Sequence, residues 1–244
     1  QFMDVDYGRI RFVEIKGVPQ QPMRPASKLW DTGGVLDVDL RVHDLDEAFN
    51  ALTDRGWSGA AVPMPLPVDD FVLDECLMTN ADSVMLALAK RHHPPLTLPE
   101  GRKLASHVYL SAMTVRDLAV STDFFVEKLG FSLVNDRLTV RYPPDSPNNF
   151  GVPHNFSDAF EIMLSIYSPD GTRDSMVECI QTVGLRGHDH AARCHPPNRG
   201  IVGYRVEVQG LDAYRQTLES RDVPLASAPN RQVWPGIGPV RTFT

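Results

Sequence analysis

Two stretches of this chain repeat each other at a fixed spacing, and that repeat limits the fold more than any other feature. Val42-His-Asp-Leu-Asp-Glu-Ala-Phe-Asn-Ala-Leu-Thr-Asp-Arg55 aligns with Val208-Gln-Gly-Leu-Asp-Ala-Tyr-Arg-Gln-Thr-Leu-Glu-Ser-Arg221 at a constant offset of 166, with five identities in fourteen columns. A looser third copy starts at Val115-Arg-Asp117-Leu118 and runs into Phe124, Phe125 and Phe131. Self-similarity of this kind marks one supersecondary unit used several times.

Each copy opens on an alternating run. Leu36, Val38, Leu40 and Val42 share one face and Asp37, Asp39 and Arg41 the other, the period-two pattern of a half-buried strand. Ile201–Val208 repeats it, with Tyr204, Val206 and Val208 opposite Gly203, Arg205 and Glu207. A helix follows. Asp44 and Asp117 are suited to cap its free N–H groups, the apolar residues are spaced by three or four, and Gly56 and Gly130 close it. Short strands come next, Phe71–Met78 and Val84–Ala89 in one copy and Phe160–Tyr167 and Met176–Thr182 in another.

The fold class expected is therefore α+β, with repeated βαβββ modules pairing into cup-shaped mixed sheets and helices on the outer face. Arg9–Ile15 reads as the last strand of an earlier unit, because Val13-Glu14 matches Val177-Glu178 at an offset of 164. The division that follows is a first domain over 1–92, a linker over 93–104 with three prolines, and a second domain over 105–244. Units one with two, and three with four, would share a cup. Unit one then lacks its opening strand and helix, and unit four its last strand, so the 244 residues are expected to be shorter than the working protein.

Composition excludes several classes. The net charge of −7 argues against nucleic acid as principal partner, since that binding rests on phosphate neutralisation. No apolar run approaches the roughly 20 residues of a membrane-spanning helix. Cys76, Cys179 and Cys194 form no C-x-x-C pair, which favours a reducing, cytoplasmic setting. No nucleophile elbow or phosphate-binding glycine loop is present.

The strand, the Val-x-Asp-Leu entry, the helix ending Leu-Gly-Phe and the closing strand after a Pro-Asp-Gly turn resemble the βαβββ module of the vicinal oxygen chelate superfamily, which includes glyoxalase I, bleomycin-resistance proteins and extradiol dioxygenases. The resemblance covers most of the chain outside the linker and 184–200. It implies a small-molecule ligand held in the cup, a homodimer, and in metal-dependent members a divalent Fe, Mn, Ni or Zn ion held by a His on each first strand and a Glu on each last strand. Those His positions are here Asp37, Leu110 and Gly203, with His107 three residues early. The Glu positions are Ala87, Glu14 and Glu178. No cofactor is firmly expected, and His107 with Glu178 is the best remaining metal pair.

The candidate catalytic groups are Asp39, Glu178, Arg205 and Glu207. The carboxylates could move a proton, and an arginine could hold an enolate or carboxylate oxygen. Candidate binding residues are Glu14, Asp37 and Arg41 in the first cup, His107 and Tyr204 in the second, and His195 and Arg199 from the His-rich stretch 184–200. The expected function is binding of an oxygenated or aromatic metabolite, with lyase or isomerase chemistry. A metal-dependent ring-cleavage dioxygenase or glyoxalase-like lyase, and a non-catalytic binding or resistance protein, are the alternatives.

Overall fold

A computed structural model describes residues 10–25, 28–69, 71–95, 98, 104–234 and 237–244. In chain order the first complete module is β1 (Asp37–Val42), α1 (Leu45–Thr53), β2 (Ser58–Gly59), β3 (Met64–Val68), β4 (Phe71–Thr79) and β5 (Met85–His93). The second is β6 (Ala105–Thr114), α2 (Leu118–Asp123), β7 (Ser132–Val140), β8 (Glu161–Ser168) and β9 (Met176–Val183). After them come α3 (Leu211–Ser220), β10 (Asn230–Trp234) and β11 (Gly238–Thr242).

The helices start and stop as their end residues dictate. The Asp44 carboxylate accepts the Glu47 N–H at 2.9 Å, and that of Asp117 accepts the Ala119 and Val120 N–H groups at 2.9 and 3.1 Å. After α2 the chain widens into a π turn over Phe124–Lys128, where the Leu129 N–H reaches the Phe124 carbonyl. Gly130 then takes φ +80, and the Phe131 N–H bonds the Phe125 carbonyl, which closes the widened turn and brings Phe131 back onto Phe125.

Eight strands close into a ring. Around it run β4, β3, β7, β8, β9, β6, β1 and β5, and β5 returns to β4, with β2 pairing the far end of β4 at Met78 and Thr79, beyond the stretch that pairs with β3. Each module contributes the same internal order, β3-β4-β5-β1 and β7-β8-β9-β6. They meet at two seams: the antiparallel β1–β6 pair and a short β3–β7 contact at Val68 and Val140. Side chains pointing inward form the largest core, including Leu36, Phe150, Ile162 and Leu164. Outside, α1 packs Leu45 and Ala48 on Cys76, Met78 and Leu88, and α2 with its π turn packs Leu118 and Phe125 on Tyr167, Val177 and Cys179.

This pairing differs from the one expected. The two complete modules share one cup with each other, and strand pairing crosses the expected 93–104 boundary. Of that connection, residues 96, 97 and 99–103 lie outside the described residues. Residues 10–15 and 201–208 form no strand despite their alternation, and Arg9 lies outside the described residues. The physical reason is that the ring leaves no open edge for them once β5 has paired with β4. The β10–β11 hairpin pairs only with itself. At α3 the cap position of the repeat holds Gly210, with no side-chain hydrogen bond.

Candidate active site

The interior of the ring holds a cavity of about 310 Å³. That is the lower end of the size range for small-molecule sites. Its walls are apolar, with Leu36, Val140, Phe150, Ile162 and Leu164 among them, and four carboxyl groups face it from three strands: Asp37 and Asp39 on β1, Glu75 on β4 and Glu178 on β9.

Strand parity puts them there. On β1 the residues Asp37, Asp39 and Arg41 point inward while Leu40 and Val42 pack beneath α1. On β4 the inward set is Phe71, Leu73, Glu75 and Leu77, and on β9 it is Met176, Glu178 and Ile180. The register carries them to one level: Asp37 and Glu178 both sit opposite Ala112 of β6, and Asp39 sits opposite Leu110. Alanines at 87, 89 and 112 leave room above the acids.

Asp37 is 2% and Asp39 6% exposed. The Asp37 Oδ1 atom accepts the Ala112 N–H at 3.2 Å, and Asp37 and Asp39 are hydrogen-bonded to each other. The Asp39 Oδ2 atom is buried with no hydrogen-bond partner. Asn149 donates to Glu75 Oε2 at 3.1 Å.

Burial drives all four carboxyl groups upward, because the charged form loses its hydration. Asp37 is pushed up to about 6, held from going further by the Ala112 N–H, by Asp39 and by the buried guanidinium of Arg24. Glu75 is pushed up to about 7 by burial and by the charge of Asp37. Asp39 and Glu178 are raised further, by burial first and then by neighbouring carboxylates. Tyr109, also facing the cavity, is raised by burial and by Asp39. Burial and mutual repulsion thus push Asp39 and Glu178 toward their protonated forms beside Asp37, whose charge a backbone N–H and Arg24 support, an asymmetry suited to general acid–base chemistry.

Of the residues singled out from the sequence, Asp37, Asp39, Arg41 and Glu178 come together in this cavity. The others do not. Glu14 is exposed and paired with Lys16 at 3.3 Å. Arg205 lies over the Trp234 ring at 4.5 Å and Glu207 is exposed, and neither is among the residues that line the cavity. Tyr204 packs on the outer layer around α2. His107 is on β6 outside the cavity lining, 3.3 Å from Asp174. His195 hydrogen-bonds within its own loop, and Arg199 pairs with Asp82 at 3.3 Å. Glu75, Tyr109, Arg91 and Arg173 face the cavity and were missed. For Glu75 a signal existed, a charge on the apolar parity of a strand. For Tyr109 none did, because a bulge between Leu110 and Val108 sets its direction.

The donor set does not fit the metal that the resemblance implies. Two of its four positions are Ala87 and Leu110, which offer no ligand atom, and His107 is outside the lining. Among the described residues no three His, Cys, Asp or Glu side chains are arranged to hold a metal ion.

Two βαβββ modules thus close around a central cup. No protein-family profile and no curated protein matches the sequence. Among solved structures it is similar to glyoxalase I from Zea mays, at 14% identity and a TM-score of 0.47 over 85% of this chain and 62% of that one. It is also similar to a variant of 4-hydroxymandelate synthase from Streptomyces coelicolor, at 14% identity and a TM-score of 0.37, covering 66% of this chain and 51% of that one. A third is a variant of methylmalonyl-CoA epimerase from Streptomyces coelicolor in complex with 2-nitronate-propionyl-CoA, at 13% identity and a TM-score of 0.37, covering 62% and 98%. The chain thus spans less than two thirds of the maize glyoxalase I chain. No described helix is long and apolar enough to cross a membrane.

Proposed function

We propose that the chain is an enzyme of lyase or isomerase type that takes a small, largely apolar, oxygenated metabolite into the cup and moves a proton at the carbon beside a carbonyl. The observation that carries this reading is Asp39: buried, facing the cavity, bonded to a second aspartate, with one oxygen left unpartnered. A buried polar atom without a partner is costly, and a substrate oxygen supplies the partner.

In this reading Asp37, ionised at neutral pH, takes the proton from carbon. Protonated Asp39 or Glu178 donates a hydrogen bond to the carbonyl oxygen as it becomes an enolate. Delivery of a proton to the opposite face of the same carbon completes an epimerisation, and collapse of the enolate with expulsion of a β-substituent, which leaves with the bonding pair, completes an elimination. The apolar walls limit water, which strengthens every polar contact inside.

The test is solvent exchange. Aryl and alkyl ketones and keto acids are incubated with the protein in D2O and followed by proton NMR. The expected result is deuterium entering the carbon beside the carbonyl of at least one compound, with Asp39→Asn and Glu178→Gln each slowing it at least about 100-fold. Saturable binding with no exchange in any compound would instead make the protein a binder of the resistance type.

A further inference from the structure

We propose that the mouth of the cup is an anion subsite built by Arg41, Arg91 and Arg173, so that the ligand is a small organic acid whose carboxylate stays at the mouth while its carbonyl reaches Asp39. This rests on the proton-transfer reading and adds the substrate class to it.

Arg41, Arg91 and Arg173 line the cavity from three separate elements, near enough to one another that Arg41 and Arg173 both act on Arg91. Arg41 lies on β1, two residues beyond Asp39 on the same face. Arg91 lies near the end of β5, and Arg173 in the turn before β9. Arg41 stacks over the Tyr109 ring at 4.2 Å, and its Nη2 atom reaches the Arg173 carbonyl oxygen at 3.4 Å. The Arg41 Nε–H is buried and has no hydrogen-bond partner. Arg91 lies over the Phe71 ring at 5.2 Å, with its Nε–H donated to the Pro94 carbonyl. Ring stacking fixes the plane of a guanidinium and leaves its N–H edge available, the arrangement that grips a carboxylate with two parallel bonds.

Like charges do not gather without an opposing one. Among the described residues no carboxylate forms an ion pair with any of these three arginines. Burial lowers the pKa of the Arg91 guanidinium, the Tyr109 hydroxyl opposes this, and Arg41 and Arg173 lower it further. An incoming carboxylate supplies the missing charge. The spacing sets the ligand's length: two residues along a strand is about 7 Å. This suits an acid whose carboxylate is three or four bonds from a ketone oxygen.

The probe is 4-oxo-4-phenylbutanoate, with its methyl ester as the neutral twin, titrated by calorimetry. The acid is expected to bind at least tenfold tighter than the ester. Arg41→Met and Arg91→Met should each reduce the acid to the ester's level and leave the ester unchanged. Arg173→Met, at an exposed position that does not threaten folding, should weaken the acid at least threefold. The cavity-filling Ala112→Phe should abolish binding of both. Equal binding of acid and ester, binding of the acid that survives Ala112→Phe, or no binding of either would each overturn the proposal. Exchange in D2O keeps the two readings apart. An ester that binds as well as the acid and still exchanges beside its ketone leaves the proton chemistry standing and removes the anion subsite.

Discussion

Asp39 differs from its neighbour Asp37 by two positions on one strand, yet the two face different surroundings. Asp37 has a backbone N–H and the buried Arg24 to stabilise its charge, whereas Asp39 has other carboxylates and an unpartnered oxygen. Arg24 is 6% exposed and donates to the carbonyls of Asp31 and Gly33. Replacing it with Met leaves those carbonyls short of a donor and Asp37 without a nearby cation, at an expected cost of about 3 kcal/mol. Denaturant unfolding checks the cost, and carbon-13 NMR of the aspartate carboxyls should show Asp37 titrating above its value of about 6. At this scale the sequence was informative where one strand sufficed. Period-two alternation alone puts Asp37, Asp39 and Arg41 on one face. It marks Glu75 as a charge on an apolar strand face but does not say that the β4–β5 pairing brings it to these acids, and it says nothing of Tyr109, which depends on a bulge.

Among the elements, the connection over 184–200 shows how a stretch rich in histidine can be structural. His190 Nε2 and the His188 N–H both bond the carboxylate of Asp31, at 2.9 and 2.7 Å, and that carboxylate is 3% exposed. Burial alone would raise Asp31, but these bonds and the two histidines outweigh it and hold the carboxyl below the usual range. Gly33, at φ +92, lets the connection approach so closely that a Cβ there would lie 2.3 Å from the Ala191 nitrogen. Gly33→Ala and Asp31→Asn should therefore release this loop, raising amide exchange at His188 and His190 at least tenfold; unchanged protection would show that the clamp does not hold it. The helix caps at Asp44 and Asp117 were legible because capping is local. The strand character of 201–208 was misleading, because alternation states only that a segment could pair. Whether it does depends on an edge being free, and here the ring has closed.

For the whole molecule, closure makes the two complete modules one cooperative body. Calorimetry should show them unfolding in a single transition, since two seams join them; separate transitions for each module would contradict the shared ring. Stability should also carry the signature of the cup. Asp37, Asp39, Glu75 and Glu178 hold their protons to higher pH when folded than when unfolded. The folded state is therefore favoured at low pH and loses ground as pH rises from the unfolded values near 4 through about 6 and 7. Asp31 acts oppositely, stabilising above pH ~4 and losing that contribution as pH falls. The maximum should lie at about pH 4, where both trends turn, and Glu75→Gln should recover on the order of 2 kcal/mol at pH 8.

If the carboxyl cluster keeps protons at neutral pH inside the closed cup, infrared spectroscopy of the carboxyl C=O stretch reads them directly. At pH 7 the protein should show a band of protonated carboxylic acid that fades only at higher pH and shrinks in Asp39→Asn and Glu178→Gln. A spectrum in which every carboxyl group is ionised by pH 5.5 would contradict the account.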